Sequence, residues 1–199
     1  MYLSRLILNP ESDYVNSLIN NPARMHVALQ TGPFGSTRKE RNVLYRLMRE
    51  GNIYVLYVQS DVLPDWKTVT GKNIVLDGIR NVSGLMDCFD NENIFGFTIR
   101  ANPCKRNENK IMPIMDTSLK LQWMKRCAEK YGFELLQCRE TGMERHNVQK
   151  KDMRFVVCST DFNGILKIKD KELFKKAFRE GIGREKAYGC GLLMLSMAS

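Results

Sequence analysis

Apolar positions along the chain recur at two spacings, every second residue in some stretches and every third or fourth in others. These are the periods of half-buried strands and amphipathic helices. Tyr2–Leu8 reads as a strand that stops at Asn9-Pro10. Asn9 is placed to cap a helix with Pro10 in its first position, acidic Glu11 and Asp13 in its first turn, and Val15, Leu18 and Ile19 on its apolar side. Asn20-Asn21-Pro22 interrupts and restarts the pattern: Asn21 caps, Pro22 opens, and Gly32 closes a short helix. After a basic loop at Arg38–Arg41, the β-rich runs Val43–Met48 and Ile53–Val58 flank Arg49-Glu50-Gly51-Asn52, which predicts a hairpin. Ser60–Gly71 is polar, Ile79–Phe89 is expected to hold a short helix, and Ile94–Arg100 is a further strand.

The second half repeats this theme less tidily. Ala101–Lys110 reads as a polar, basic connection. Asp116–Tyr131 is a helix by its spacing-four line Leu119, Trp123, Cys127 and Tyr131, ended by Gly132. Phe133–Cys138 is a strand, and Glu140–Asp152 is an exposed loop or a long hairpin. Arg154–Ser159 and Ile165–Ile168 are strands either side of Asp161–Gly164. Asp170 caps a helix that turns Leu173, Phe174, Ala177 and Phe178 inward, and Gly189–Met197 is a final buried strand. The first half thus has the order β-α-β-β-α-β, which is that of the ferredoxin-like fold. The expected architecture is α+β: two tandem ferredoxin-like (RRM-like) domains, 1–100 and 101–199.

Composition narrows the chemistry. A hydrophobic fraction of 43% is enough for a core. No run of 18 apolar residues is present to span a membrane, and the N-terminal stretch lacks the pattern of a signal peptide, so a soluble, cytoplasmic protein is expected. The six cysteines occur singly, with no C-x-x-C pair, and read as small buried hydrophobes in a reducing compartment. With only two histidines beside them, no zinc site and no cofactor is expected. The net charge of +9 is uneven. Residues 1–100 hold 11 Lys/Arg against 10 Asp/Glu, and residues 101–199 hold 20 against 12, so nearly all the excess lies in the second half. That asymmetry favours a polyanionic partner, nucleic acid above all.

The most specific motif follows the last helix: Gly181-Ile182-Gly183-Arg184-Glu185-Lys186-Ala187-Tyr188-Gly189-Cys190-Gly191. Glycines let backbone approach a phosphate closely and present N–H groups to it, with Arg184 and Lys186 alongside. A helix cap and an ordinary turn would explain one glycine, but not two G-x-G pairs around two basic residues. The G-K-[ST] ending of a nucleotide P-loop is absent.

GIGREKAYGCGLL resembles the glycine-rich signature of the repeat-associated RNA-binding proteins of CRISPR systems, and within them the CasE branch. The opening YLSRLIL, the run Phe97–Pro103, the end of the Trp123–Gly132 helix and Phe162–Leu166 follow in that branch's order. The resemblance implies two tandem ferredoxin-like domains that bind the stem-loop of a CRISPR repeat RNA. It further implies metal-independent cleavage at the base of the stem and product retention for the other Cascade subunits. It places the catalytic histidine at His26. His26 sits about 100° round the helix from the inward line Met25–Leu29, a boundary position from which an imidazole could exchange a proton with a ribose 2′-OH or a departing 5′-oxygen.

Members of the branch often carry a tyrosine one turn before this histidine, where this chain has Pro22, Ala23, Arg24 and Met25. A partner would have to come from elsewhere: Tyr45, or Arg24 in its place. Arg38, Lys39 and Arg46 are candidates to stabilise phosphate charge, with Arg46 alternating outward from Val43, Tyr45 and Leu47. Further candidate RNA contacts are Lys105 and Arg106, the hairpin residues Arg145, Lys150, Lys151 and Arg154 around His146, and the glycine loop (Gly181, Gly183, Arg184, Lys186, Gly189, Gly191). Two rival functions use the same residues: a non-catalytic RNA-binding scaffold, and an unrelated ferredoxin-like regulator without salt-dependent RNA affinity.

Overall fold

The computed structural model describes residues 1–34, 42–69, 71, 73–108, 110–150 and 153–197. Arg38, Lys39 and Lys151 lie outside the described residues, as does the side chain of Lys150. The chain divides into two compact units: Met1–Leu85 with His146–Val156 and Ala187–Gly189, and Met86–Arg145 with Val157–Lys186 and Cys190–Ser199.

The first unit holds β1 (Tyr2–Leu8), α1 (Asp13–Ile19), α2 (Pro22–Thr31), β2 (Val43–Glu50), β3 (Ile53–Ser60) and β4 (Ile74–Asn81), followed by the short α3 (Ser83–Asp87). Its antiparallel sheet has the order β2-β3-β1-β4, that of a ferredoxin-like domain. Leu6, Leu8, Tyr45, Leu56 and Val58 turn one face of that sheet onto Val15 and Leu18 of α1 and Met25 and Leu29 of α2. The short helix expected within Ile79–Phe89 is α3, which follows β4, and the polar stretch between β3 and β4 holds only a 3₁₀ turn, Trp66–Thr68. The indole of Trp66 is buried and donates to Ser4 Oγ at 2.8 Å.

The second unit holds β5 (Ile94–Ala101), β6 (Cys104–Asn107), β7 (Lys110–Pro113), α4 (Thr117–Lys130), β8 (Phe133–Lys150), β9 (Met153–Ile168), α5 (Lys171–Glu180) and β10 (Leu193–Met197), with the outer ends of β8 and β9, from His146 and up to Val156, counted in the first unit. The sheet order β10-β5-β9-β8 repeats the ferredoxin-like arrangement. Its core is aromatic: Phe89 meets Phe95, Phe174 and Phe178 edge-on at centroid distances of 5.8, 5.1 and 5.2 Å. Such pairs contribute about 1 kcal/mol each beyond their burial.

Two tandem ferredoxin-like domains are therefore present, but the boundary expected after residue 100 is not where the chain divides. The strand at 94–101 pairs with β9 and β10 and opens the second sheet. The fourth strand of the first sheet is β4, which the sequence pattern concealed: as an edge strand it is exposed at most positions and shows no alternation.

Other local differences have equally direct causes. Ser12, not Asn9, caps α1, because the Asn9 carboxamide is engaged in a turn with Glu11 N–H. The segment read as a connection at 101–110 contributes to a two-stranded ribbon, β6–β7. Phe133–Cys138 runs on through residue 150, and the two strands expected over 154–168 are one, so of the two readings of 140–152 the long hairpin holds over its described residues, 140–150. The buried line of α4 is Lys120, Met124 and Ala128, one position on from the expected stripe, and Leu119 and Leu173 are exposed. The last strand begins at Leu193, and its end is exposed.

Candidate functional site

Helix α2 starts and stops as its sequence dictates. The Asn21 side chain accepts from Ala23 N–H at 3.1 Å, Pro22 occupies the first position, and Gly32 N–H closes the last turn on Ala28 O. Met25 and Leu29 are buried, Arg24 and Val27 are exposed, and His26 is half-buried between those faces. That is the boundary position expected of it, with Gln30 one turn further on the same side.

Tyr45 and Arg46, expected to assist His26 directly, are both only 4% exposed. They occupy opposite faces of β2. Tyr45 belongs to the core beneath α1 and α2. Its hydroxyl stands 3.3 Å from the carbonyl of Pro22 and 3.3 Å from that of Ala187. Arg46 pairs in register with Tyr57, which pairs with Arg5, on the face turned away from the helices. Arg46 therefore points away from the helix that carries His26, which corrects the expectation that it neutralises a phosphate there. The Tyr45 hydroxyl is already engaged by protein carbonyls.

The outer part of the β8–β9 hairpin belongs to the same unit as α2. Asn147, Gln149, Arg154 and Phe155 of the hairpin form, with Asn20 and Asn21, an open groove of about 520 Å³. Its rim is polar, and Arg154 is exposed on it. Asn21 precedes His26 by five residues, about 7.5 Å along the helix axis. The groove thus joins a cation, four carboxamides and an aromatic ring beside the start of α2. Asn20, Asn21, Asn147, Gln149 and Phe155 were not expected as site residues. Asn-Asn-Pro carries a helix-start signal that masks any other use, and only the hairpin's charge marked that segment.

The glycine loop is explained mostly from within the protein. Gly181, Gly183, Gly189 and Gly191 all have φ between 80° and 92°, the left-handed region where a side chain is strained. Gly181, Gly189 and Gly191 are buried, so what approaches their backbone closely is protein and not a ligand, contrary to the role expected of them. In the second unit, Gly183 packs on Trp123 and its N–H points to Tyr131 Oη at 3.4 Å, while Ile182 N–H donates to Gly191 O. In the first, Gly189 packs on the Tyr45 ring. Lys186 donates to Glu180 O at 2.7 Å, and burial pushes its ammonium pKa down. Of the loop's cations only Arg184 is exposed.

Within the second unit Arg184 lies beside the root of the β6–β7 ribbon, close enough to influence the Cys104 thiol. Lys105, Arg106 and Lys110 of the ribbon are exposed, and among the described residues none of them pairs with a carboxylate. Arg145 is exposed on β8. Arg100, by contrast, is committed: it grips Asp161 through Nε and Nη2 at 3.0 and 2.8 Å and Glu144 through Nη1 and Nη2 at 2.9 and 3.0 Å. Asn102 is likewise structural, donating to Cys158 O at 2.7 Å.

Among the described residues no helix is long and apolar enough to cross a membrane. A CRISPR-associated endoribonuclease, Cse3 of Thermus thermophilus, is 26% identical over 216 residues, covering 98% of this chain and all of that protein. The solved structure of Thermus thermophilus Cse3 bound to an RNA representing a pre-cleavage complex superposes with a TM-score of 0.87 at 26% identity, over 98% of each chain. A chain of a CRISPR RNA-guided surveillance complex has the same fold, with a TM-score of 0.72 at 21% identity over the whole of both chains. The family model described as CRISPR associated protein matches residues 1–196. The resemblance carried by the glycine loop and by the order of the strands is borne out, and the chain belongs to the CRISPR-associated protein family.

Proposed function

We propose that this chain is an endoribonuclease that processes CRISPR repeat RNA by internal transesterification, with His26 as the proton-transferring group. One observation carries the reading: a relative solved with a pre-cleavage RNA shares the fold over 98% of the chain, with a TM-score of 0.87. The geometry of the first unit supports it. A half-buried histidine stands on a firmly capped helix, next to a groove whose carboxamides and arginine suit a sugar-phosphate backbone.

In the reaction the 2′-oxygen at the cut site attacks the adjacent phosphorus, and the bond from phosphorus to the 5′-oxygen breaks. The products are a 2′,3′-cyclic phosphate and a free 5′-hydroxyl. His26 takes the 2′-OH proton or delivers one to the leaving 5′-oxygen. The nucleophile belongs to the RNA, so no metal-bound water is required of the chemistry. Arg24, Arg145, Arg154, Lys105, Arg106 and Arg184 are the exposed cations proposed to hold the stem and its flanks. The product stays bound and passes to the other Cascade subunits in the cytoplasm.

A second reading, an RNA-binding scaffold that does not cut, is favoured by the stretch before His26, where Pro22, Ala23, Arg24 and Met25 include no tyrosine of the kind the resemblance implies. Incubation with a stem-loop copied from the host's CRISPR repeat, in excess EDTA, separates the two. Cleavage to a cyclic-phosphate end supports the nuclease, and tight binding of RNA that stays intact supports the scaffold.

A further inference from the structure

We propose that Tyr45 is a positioning residue, and that with Ala187–Gly189 it forms a wedge fixing the turn of α2 that carries His26 against the RNA-gripping end of the β8–β9 hairpin. The proposal rests on the reading of His26 as the proton-transferring group. All the residues concerned belong to the first compact unit, although they come from three separate stretches of sequence.

The first contact is to the helix. The Tyr45 hydroxyl lies 3.3 Å from the Pro22 carbonyl. In an α-helix that carbonyl is the one facing the N–H of the residue four positions on, which is His26. Tyr45 therefore holds the backbone group directly beneath the histidine. Proline in this first position brings a fixed φ and no N–H of its own, so the turn's orientation depends on what its carbonyls and the Asn21 cap meet.

The second contact is to the glycine loop. The same hydroxyl lies 3.3 Å from the Ala187 carbonyl. Two residues on, a Cβ on Gly189 would stand 3.1 Å from Cε2 of the tyrosine ring, and Gly189 has a φ of +83°. The Gly189 backbone thus lies close to the ring, at a separation and in a conformation suited to glycine. Between the two, the Tyr188 ring meets Phe155 at a centroid distance of 5.5 Å. Phe155 lines the groove beside Arg154.

The chain of contacts runs Phe155, Tyr188, the Ala187 carbonyl, Tyr45, the Pro22 carbonyl, α2. One half of the family's glycine motif is then explained as part of the active-site frame: it sets the distance between the hairpin that grips RNA and the helix that presents the histidine. A displacement of about 1 Å at reacting groups can cost on the order of 10²-fold in rate, so a prop of this kind is visible in the chemical step without being visible in affinity.

The test compares the parent, His26→Ala, Tyr45→Phe, Tyr188→Leu and the Tyr45→Phe/Tyr188→Leu double variant. The probe is a labelled stem-loop RNA with the host's CRISPR repeat sequence. The readouts are the single-turnover cleavage rate constant at saturating protein, the Kd by filter binding, and the Tm. Tyr45→Phe keeps the ring that fills the core and removes only the hydroxyl. The expected result is a rate constant about 10- to 100-fold lower, with Kd within about 2-fold and the Tm nearly held. The double variant should lose less than the product of the two single losses, because both interrupt one line of contacts. A parental rate in Tyr45→Phe, with His26→Ala inactive, overturns the wedge and leaves the histidine reading intact. A rate loss in Tyr45→Phe that only tracks a fall in folded fraction also overturns it. A parental rate in His26→Ala overturns the reading on which the wedge stands.

Discussion

A Cβ placed on Gly183 would stand 3.3 Å from Cη2 of Trp123, a separation tighter than most real contacts of this kind. Gly183 also has a φ of +83°, so a side chain there is strained before it meets the indole. Gly183→Ala should therefore destabilise the fold by roughly 1–2 kcal/mol and lower the Tm by several degrees. Thermal unfolding followed by circular dichroism measures it. An unchanged Tm with weakened RNA binding would return Gly183 to the role of a phosphate cradle.

Arg154 is the exposed cation on the groove beside the start of α2. Arg154→Ala should weaken binding of the repeat stem-loop and reduce the slope of log K against log salt by about one. Filter-binding titrations at several salt concentrations test this. An unchanged slope would remove the groove from the RNA path.

The cations of the second unit should behave differently. Lys105, Arg106 and Arg184 lie around the root of the ribbon and not on α2. Replacing all three by alanine should raise the Kd and cut the salt slope by roughly two to three, while the single-turnover rate at saturating protein stays near the parental value. A rate that falls at saturation would place these residues at the reaction itself.

Lys120 is 2% exposed, and its ammonium lies 2.5 Å from Glu140 Oε1, with Thr117 Oγ1 donating to the other oxygen at 2.9 Å. Lys120→Met should cost about 1–3 kcal/mol, because Glu140 is left with one of its two partners. The Lys120→Met/Glu140→Gln pair should recover part of that loss, since the stranded charge is then gone. Chemical denaturation of the two variants gives both numbers. Equal losses would show that packing and not charge sets the cost.

The same lysine shows why part of the fold was hidden in the sequence. The spacing-four line Leu119, Trp123, Cys127 and Tyr131 is a genuine apolar stripe, yet the buried line runs one position later through Lys120, Met124 and Ala128. A paired lysine in the core line breaks the hydrophobic pattern there, while in the apolar stripe the Trp123 ring packs on Gly183 and the Tyr131 hydroxyl receives the Gly183 N–H. Strand β4 was missed for the opposite reason, since an edge strand exposed at most positions buries only Ile74 and part of Ile79 and prints no regular period on its residues.

Where local chemistry decides the outcome, the sequence was sufficient. Asn21-Pro22 and Gly32 bound α2, and His26 takes the boundary position that helical geometry assigns to it. The surroundings of His26 were not legible, because Tyr45, Phe155 and Tyr188 reach the neighbourhood of α2 from distant parts of the chain. No spacing rule connects residues 22, 45, 155 and 187. Arg46 alternates as expected, but alternation alone does not reveal that its face of the sheet is covered at that point.

The most direct test of the proposed function is the rate of repeat stem-loop cleavage by His26→Ala under single-turnover conditions, with Kd measured on the same preparation. The predicted result is a loss of roughly 10²–10⁴-fold in the cleavage rate constant with affinity nearly unchanged, the usual contribution of a positioned acid or base. A variant that binds the RNA as the parent does and cuts it at the parental rate would contradict the account.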